Sequence, residues 1–128
     1  MHKSFLVIGT VIAALGVVLG AFGAHGLKKY VGPETVGTFQ TGVQYQMYHA
    51  FALLVLAAVY QQFSNNLLQY AGYFFLTGII LFSGSLYALA FLKAKEVVGL
   101  SGIGIITPIG GLLFITGWIL FLLGVLRK

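Results

Sequence analysis

The sequence predicts an all-α integral membrane protein: a bundle of four transmembrane helices with a short amphipathic interfacial helix before the second span. Of its 128 residues, 59% are hydrophobic and only 7% are charged. A soluble domain carries about 25% charged residues, because a small globule must cover a large surface with polar groups. Long stretches of the chain also contain no Lys, Arg, Asp or Glu. Lipid is therefore the expected solvent.

Charge-free stretches locate the four spans. A helix needs about 20 apolar residues to cross the hydrocarbon, so residues 4–27 and 97–126 each hold one span and residues 35–92 hold two. The long stretch is divided by a run of uncharged but strongly hydrated side chains, which are costly to leave unpaired in lipid. They are Gln61, Gln62, Ser64, Asn65, Asn66 and Gln69. We predict a single domain, 1–128, with both termini on one face and spans at about 4–24, 45–63, 68–92 and 106–126.

The segment at about 33–42 differs in composition from the spans. Pro33 suits the first position of a helix and Glu34 suits its positive end, and apolar residues then recur at helical spacing among threonine and glutamine. In one interpretation this segment lies flat at the membrane interface. In the other it extends the second helix to about 46 Å, which exceeds the bilayer and requires a bend near Gly42.

The first span has two interpretations as well. It is either a retained transmembrane helix or a secretory signal with a cleavage site near Gly23. We treat it as retained, because its apolar region is longer than the roughly 7 to 15 residues of a signal core.

The basic residues are divided almost evenly between the two faces. Those beside the spans are Lys3, Arg127 and Lys128 on the face of the termini and Lys28, Lys29, Lys93 and Lys95 on the opposite face. The positive-inside rule, applied to the larger group, predicts termini outside the cell and both charged loops in the cytoplasm.

Glycines recur at seven-residue intervals in the first and fourth spans. Each set forms a groove down one side of its helix, and close backbone approach over small residues is what drives helices together in lipid. The first and fourth spans are expected to pack through these grooves, either on each other or on neighbouring copies. The packing glycines are Gly9, Gly16, Gly20, Gly23, Gly110, Gly117 and Gly124.

Polar side chains within the spans are expected in the half of the bundle that carries the charged loops, where depth arithmetic puts both His25 and His49. One interpretation is interhelical hydrogen bonding; the other is a polar pocket for a lipid headgroup or a small solute. A haem between the histidines is disfavoured, and so is a serine–histidine hydrolase, since no orienting acid marks one. The candidates are His25, Thr41, Tyr45, Gln46, His49, Ser83, Ser85, Tyr87 and Thr107.

Several classes of function are excluded or disfavoured by composition. The chain has no cysteine, which removes disulfides and thiolate metal sites. Its two carboxylates, Glu34 and Glu96, fall outside the predicted spans, which excludes a carboxylate metal site within one chain and disfavours ion-coupled transport. The net charge of +5 comes from scattered basic residues that form no groove for nucleic acid.

Four motifs, in order along the whole chain, resemble those of the YgdD and YwdK family. They are Gly20-Ala21-Phe22-Gly23-Ala24-His25-Gly26-Leu27, then Gln40-Thr41-Gly42 with Tyr45, Gln46 and His49, then Leu81-Phe82-Ser83-Gly84-Ser85-Leu86-Tyr87, then Thr107-Pro108-Ile109-Gly110-Gly111 with Gly117-Trp118. This is domain-of-unknown-function family 423, which includes transmembrane-protein-256-like members. The resemblance implies a four-helix protein of the bacterial cytoplasmic (inner) membrane, and it supplies no catalytic residue.

We therefore expect a multi-pass membrane protein without enzymatic activity, with a structural or accessory role through lipid or protein binding. The alternative is a ligand-binding or channel-like oligomer that uses the polar cluster. Membrane lipids are the expected partners, with a second copy of the chain or another membrane protein as further candidates. No cofactor or metal is expected.

Overall fold

The structure, a computed structural model, describes residues 2–63, 65–95 and 101–127, and of residues 101 and 102 only their place in a helix. Over these residues it confirms the all-α class, with four helices long and apolar enough to cross a membrane. Ser64, Glu96 and Lys128 lie outside the described residues. The elements are α1 (Lys3–His25), a 3₁₀ turn (Leu27–Lys29), α2 (Pro33–Val59), α3 (Asn66–Gly78), a π-helical segment (Ile79–Ser83), α4 (Gly84–Ala94) and α5 (Ser101–Arg127). The elements from α3 to α4 run on continuously as the third span, Asn66–Ala94.

Side chains cap the helices that begin at the face of the termini. The ring of His2 accepts the backbone N–H of Phe5 at 3.2 Å and caps α1. Asn65, one of the polar residues between the second and third spans, accepts the N–H of Leu67 at 2.9 Å and caps α3. A capping side chain satisfies a backbone donor that would otherwise be unpaired at the membrane edge.

Residues 33–42 are not a separate interfacial helix. They form the first turns of α2, which runs as one helix from Pro33 to Val59 through Gly42. The structure thus agrees with the second interpretation, in which this segment extends the second helix, and α2 begins about twelve residues before the predicted span. Thr35 and Phe39 are buried, so one side of this polar stretch packs inside the bundle while Glu34 and Gly37 remain exposed.

The helices pack in the order α1, α2, third span, α5. At the face of the termini, the His2 ring lies 2.8 Å from the side-chain oxygen of Gln69, and the Asn65 amide donates to the carbonyl of Gly124 at 3.1 Å. The start of α1, the start of α3 and the end of α5 therefore share one face, as four crossings require.

Glycines in α1 face α2, and glycines in α5 face the third span. A Cβ added at Gly9 would lie 3.2 Å from the carbonyl oxygen of Ala50, and one at Gly117 would lie 3.3 Å from that of Ala71. The expected pairing of the first and fourth spans was wrong, because each stripe packs on the helix next to it in the chain. The α1–α2 seam contains Gly9, Gly16, Gly20 and Gly23, and the third span–α5 seam contains Gly110, Gly117 and Gly124.

Candidate functional site

A chain of hydrogen bonds crosses three helices at the middle of the bundle. The hydroxyl of Tyr87 donates to the side-chain oxygen of Gln46 at 2.6 Å, and the Gln46 amide donates to the carbonyl of Ile12 at 2.9 Å. Gly16 lies beside this bond and leaves room for the neighbouring Met47, since a Cβ there would clash with the Met47 sulfur and lie 3.2 Å from its Cγ. The bonds therefore tie α4 to α2 and α2 to α1.

Ser83 makes a second link between α2 and the third span. Its side chain is fully buried, and its hydroxyl donates to the carbonyl of Gly42 at 2.6 Å. The two backbones are close there, because a Cβ at Gly42 would lie 3.3 Å from the carbonyl oxygen of Ser83. Thr41, the neighbouring candidate, instead donates to Gly37 on its own helix at 3.0 Å.

The π-helical segment shapes the contact between the third span and α5. π turns leave helix carbonyls without their usual partners and are frequent at functional sites. Here the hydroxyl of Ser85 donates to the carbonyl of Phe82 at 2.8 Å and is also bonded to Thr107 on α5. Gly110 lies against the backbone of Phe82, where an added Cβ would be 2.8 Å from its Cα. This serine is thus part of a helix junction.

His49 is held on both ring nitrogens. Nδ1 lies 2.8 Å from the carbonyl oxygen of Tyr45, and Nε2 lies 3.0 Å from the indole nitrogen of Trp118. A carbonyl only accepts and an indole N–H only donates, so the ring is the neutral tautomer with its proton on Nδ1. The ring also stacks on Phe114, with centroids 3.6 Å apart. Neither nitrogen is open to act as a base or a metal ligand while these bonds last.

His49 lies further below the level of His25 than the roughly 6 to 9 Å that the sequence arithmetic gave. Gly23 of α1 packs against Phe39 of α2, so His25 is level with the early turns of α2, whereas His49 lies about 17 Å further along at 1.5 Å per residue. The estimate was wrong because α2 begins at Pro33 and not near residue 45. His25 is exposed at the end of α1 and contributes nothing to the interior.

Trp118 and Phe114 are contacts of His49 that sequence reasoning missed: Phe114 is buried, whereas Trp118 contacts the histidine from the edge of the bundle with 47% of its own surface exposed. They form the wall around His49 together with Phe75, whose ring centroid is 5.6 Å from that of the histidine. Tyr45 completes the cluster, with its ring centroid 4.8 Å from that of Phe82. A signal was available, since an indole N–H inside a span needs an acceptor.

An apolar groove lies between α1 and the third span, where the two do not pack along their length. It has a volume of about 630 Å³, and Gln46 and Tyr87 are its polar residues. A second hollow of about 400 Å³ adjoins it at Tyr87 and continues toward the loop face. Lining residues of the groove include Val7, Val11, Leu15, Leu76, Ile80 and Gly84.

The fold and these contacts define a small four-span integral membrane protein whose interior polar groups are bonded within the chain. Residues 19–111 match the family model described as "Protein of unknown function (DUF423)". The chain is 41% identical to the UPF0382 membrane protein YwdK of Bacillus subtilis, covering 98% of each chain. It is 38% identical to the UPF0382 inner membrane protein YgdD of Escherichia coli K12, over 99% of this chain and 93% of that one. No solved structure matches it.

This chain is therefore a member of the DUF423 family, as the sequence motifs indicated. The relatives carry names that state a membrane location and no activity.

Proposed function

We propose that this protein is a non-catalytic membrane protein that binds lipid, in a structural or accessory role. The observation that carries the proposal is the groove between α1 and the third span, which is almost wholly apolar and has a volume of about 630 Å³. Its helices cross the membrane, so it opens onto hydrocarbon and lipid tails are present there at high concentration. An acyl chain is the ligand whose shape and polarity fit it.

The polar cluster supports lipid binding over binding of a polar ligand, because its side chains are already bonded to one another or to the backbone. Among the described residues, every buried side-chain nitrogen or oxygen has a hydrogen-bond partner. A polar solute, a cofactor or a permeating ion would have to break these bonds first, so a channel-like oligomer built on the cluster is less well supported. The hydroxyls of Ser83 and Ser85 are bonded to backbone carbonyls and not to His49, which favours a role without catalysis.

The test fills the groove without disturbing the fold. Gly84 lines the groove, and a Cβ added there meets nothing within 4 Å, so Gly84→Leu places a side chain in the space of the acyl chain. Gly104 on α5 is equally open, and Gly104→Leu is the matched control. Native mass spectrometry from mild detergent should show bound phospholipid that Gly84→Leu removes and Gly104→Leu retains. Equal lipid on all three proteins would contradict the proposal.

We also propose that the protein lies in the bacterial cytoplasmic membrane with its termini outside. The loop face carries the larger basic group, including Lys28 and Lys29, which supports a cytoplasmic position for that face. Because the chain has no cysteine, single cysteines give an unambiguous readout. In intact cells, a membrane-impermeant maleimide should label Gln62→Cys and not Lys29→Cys; the reverse pattern would mean the opposite orientation.

A further inference from the structure

The hollow that continues the groove toward the loop face combines an apolar wall with a cation. It has a volume of about 400 Å³ and adjoins the groove at Tyr87. Phe22 and Leu27 line one side, and Phe91 and Lys95 line the other. This hollow and the groove share Tyr87 in their walls, so the two spaces follow one another between α1 and the third span.

Lys95 stands at the outer end of this hollow. Its ammonium lies 5.2 Å from the centre of the Phe91 ring, a cation–π contact that keeps the charge at the hollow. Two further lysines, Lys28 and Lys29, directly follow Leu27, which lines the opposite wall of the hollow, and all three form one 3₁₀ turn. In the sequence, the basic residues of this face outnumber the acidic ones: Lys28, Lys29, Lys93 and Lys95 against Glu34 and Glu96.

The distances along α4 match one leaflet of a bilayer. The hydrocarbon of a leaflet is about 15 Å thick, half of the roughly 30 Å of the whole. Ten residues of helix separate Ala94, beside Lys95, from Gly84, and they span about 15 Å. A lipid with its headgroup at Lys95 would therefore run its tail past Tyr87 to the level of Gly84.

We propose that the lipid bound between α1 and the third span is an anionic phospholipid, with its phosphate at Lys95 and one acyl chain in the groove. This inference rests on the proposed function and adds to it the chemical class of the headgroup. A second copy of the chain is a poorer occupant, since an apolar groove that ends in a cation at the membrane edge complements an amphiphile with a negative head. A cation near a membrane surface contributes about fivefold to binding of an anionic lipid.

Lys93 provides a matched control for Lys95. Both are exposed at the end of α4, but Lys93 faces a different hollow, lined by Thr35, Thr38 and Leu89. Lys95→Gln and Lys93→Gln thus remove the same charge at nearly the same depth, and only the first removes it from the path of the lipid. Any effect of overall charge on lipid binding must appear equally in both.

The experiment measures lipid preference by native mass spectrometry, with phosphatidylglycerol and phosphatidylcholine of identical chains supplied in equal amounts. We expect the unmodified protein and Lys93→Gln to prefer phosphatidylglycerol. In Lys95→Gln the ratio of bound phosphatidylglycerol to bound phosphatidylcholine should fall about fivefold. Inorganic phosphate should not compete, because the acyl chain supplies part of the binding. Equal losses in both lysine variants, or no loss in either, would overturn the inference.

The same measurement separates this inference from the proposed function. If Gly84→Leu removes both lipids and Lys95→Gln leaves the preference unchanged, lipid occupies the groove and only the headgroup assignment is wrong. If Gly84→Leu leaves both lipids bound, or instead dissociates a dimer that carries no lipid, the proposed function fails and the inference fails with it.

Discussion

The close approach of α5 to the third span predicts a sharp difference between two adjacent glycines. A Cβ at Gly110 would lie 2.8 Å from the Cα of Phe82 and closer still to its backbone nitrogen, whereas one at Gly111 would lie 3.9 Å from the Phe82 ring. Carbon atoms pack best at about 3.5–4.0 Å, so Gly110→Ala must push the helices apart by roughly 1 Å. Backbone atoms cannot rotate away from the new methyl group.

The expected cost follows from comparing the two substitutions. Replacing glycine by alanine within a helix gains about 1 kcal/mol of helix propensity at either position, and this gain cancels in the comparison. Overpacking typically costs about 1–3 kcal/mol. Gly110→Ala should therefore be less stable than Gly111→Ala by about 2 kcal/mol.

The chain has a single tryptophan, Trp118, which packs against Phe75 across the same contact and so reports on it. Unfolding in mixed micelles of mild detergent and dodecyl sulfate, followed by the fluorescence of this residue, gives the free energy of unfolding for each variant. Circular dichroism before titration checks that both variants are fully helical. If Gly110→Ala proved as stable as Gly111→Ala, the close packing of α5 on the π-helical segment would be refuted.

Three further outcomes are expected. Trp118→Phe should lower the free energy of unfolding by about 1 kcal/mol, measured by circular dichroism, because it leaves the buried Nε2 of His49 without a donor; no loss would refute the hydrogen bond. Ser83→Ala should cost about 1 kcal/mol, whereas Thr41→Val, whose hydroxyl bonds only its own helix, should cost less; equal costs would contradict the link to α2. A fluorophosphonate probe should leave the protein unlabelled, and labelling that disappears in Ser85→Ala would contradict a non-catalytic role.

The number of crossings could be predicted from the sequence because lipid imposes it. A charged or strongly hydrated side chain in hydrocarbon is costly, so runs of such residues separate one span from the next and fix the number of spans. Asn65 illustrates the strength of this signal, since its polar side chain marked the turn and is also the residue that caps α3.

The depth of the candidate site could not be predicted, because polar residues near the start of α2 are satisfied by other helices. The Gln40 amide donates to the carbonyl of Gly20 on α1, and Thr35 is buried with 7% of its surface exposed. Such residues lower the hydropathy of the segment, so the span predicted from hydropathy begins too late in the sequence. That error moved His49 toward the surface. The helices that pack against the glycines of α1 and α5 could not be predicted either, since the spacing of the glycines defines one face of a helix and not the helix that covers it.

Three kinds of contact build this bundle: glycine seams, an apolar core and side-chain hydrogen bonds. Glycine seams hold α1 against α2 and the third span against α5, and neither pair can separate without losing backbone packing along its length. The two pairs are joined by a shared apolar core that includes Leu53, Phe75 and Phe114, and by side-chain hydrogen bonds, which in membranes average about 0.6 kcal/mol each. These bonds are Tyr87 to Gln46, Ser83 to Gly42 and Trp118 to His49. Because the apolar groove also lies between the pairs, an acyl chain bound there as proposed would leave both glycine seams closed.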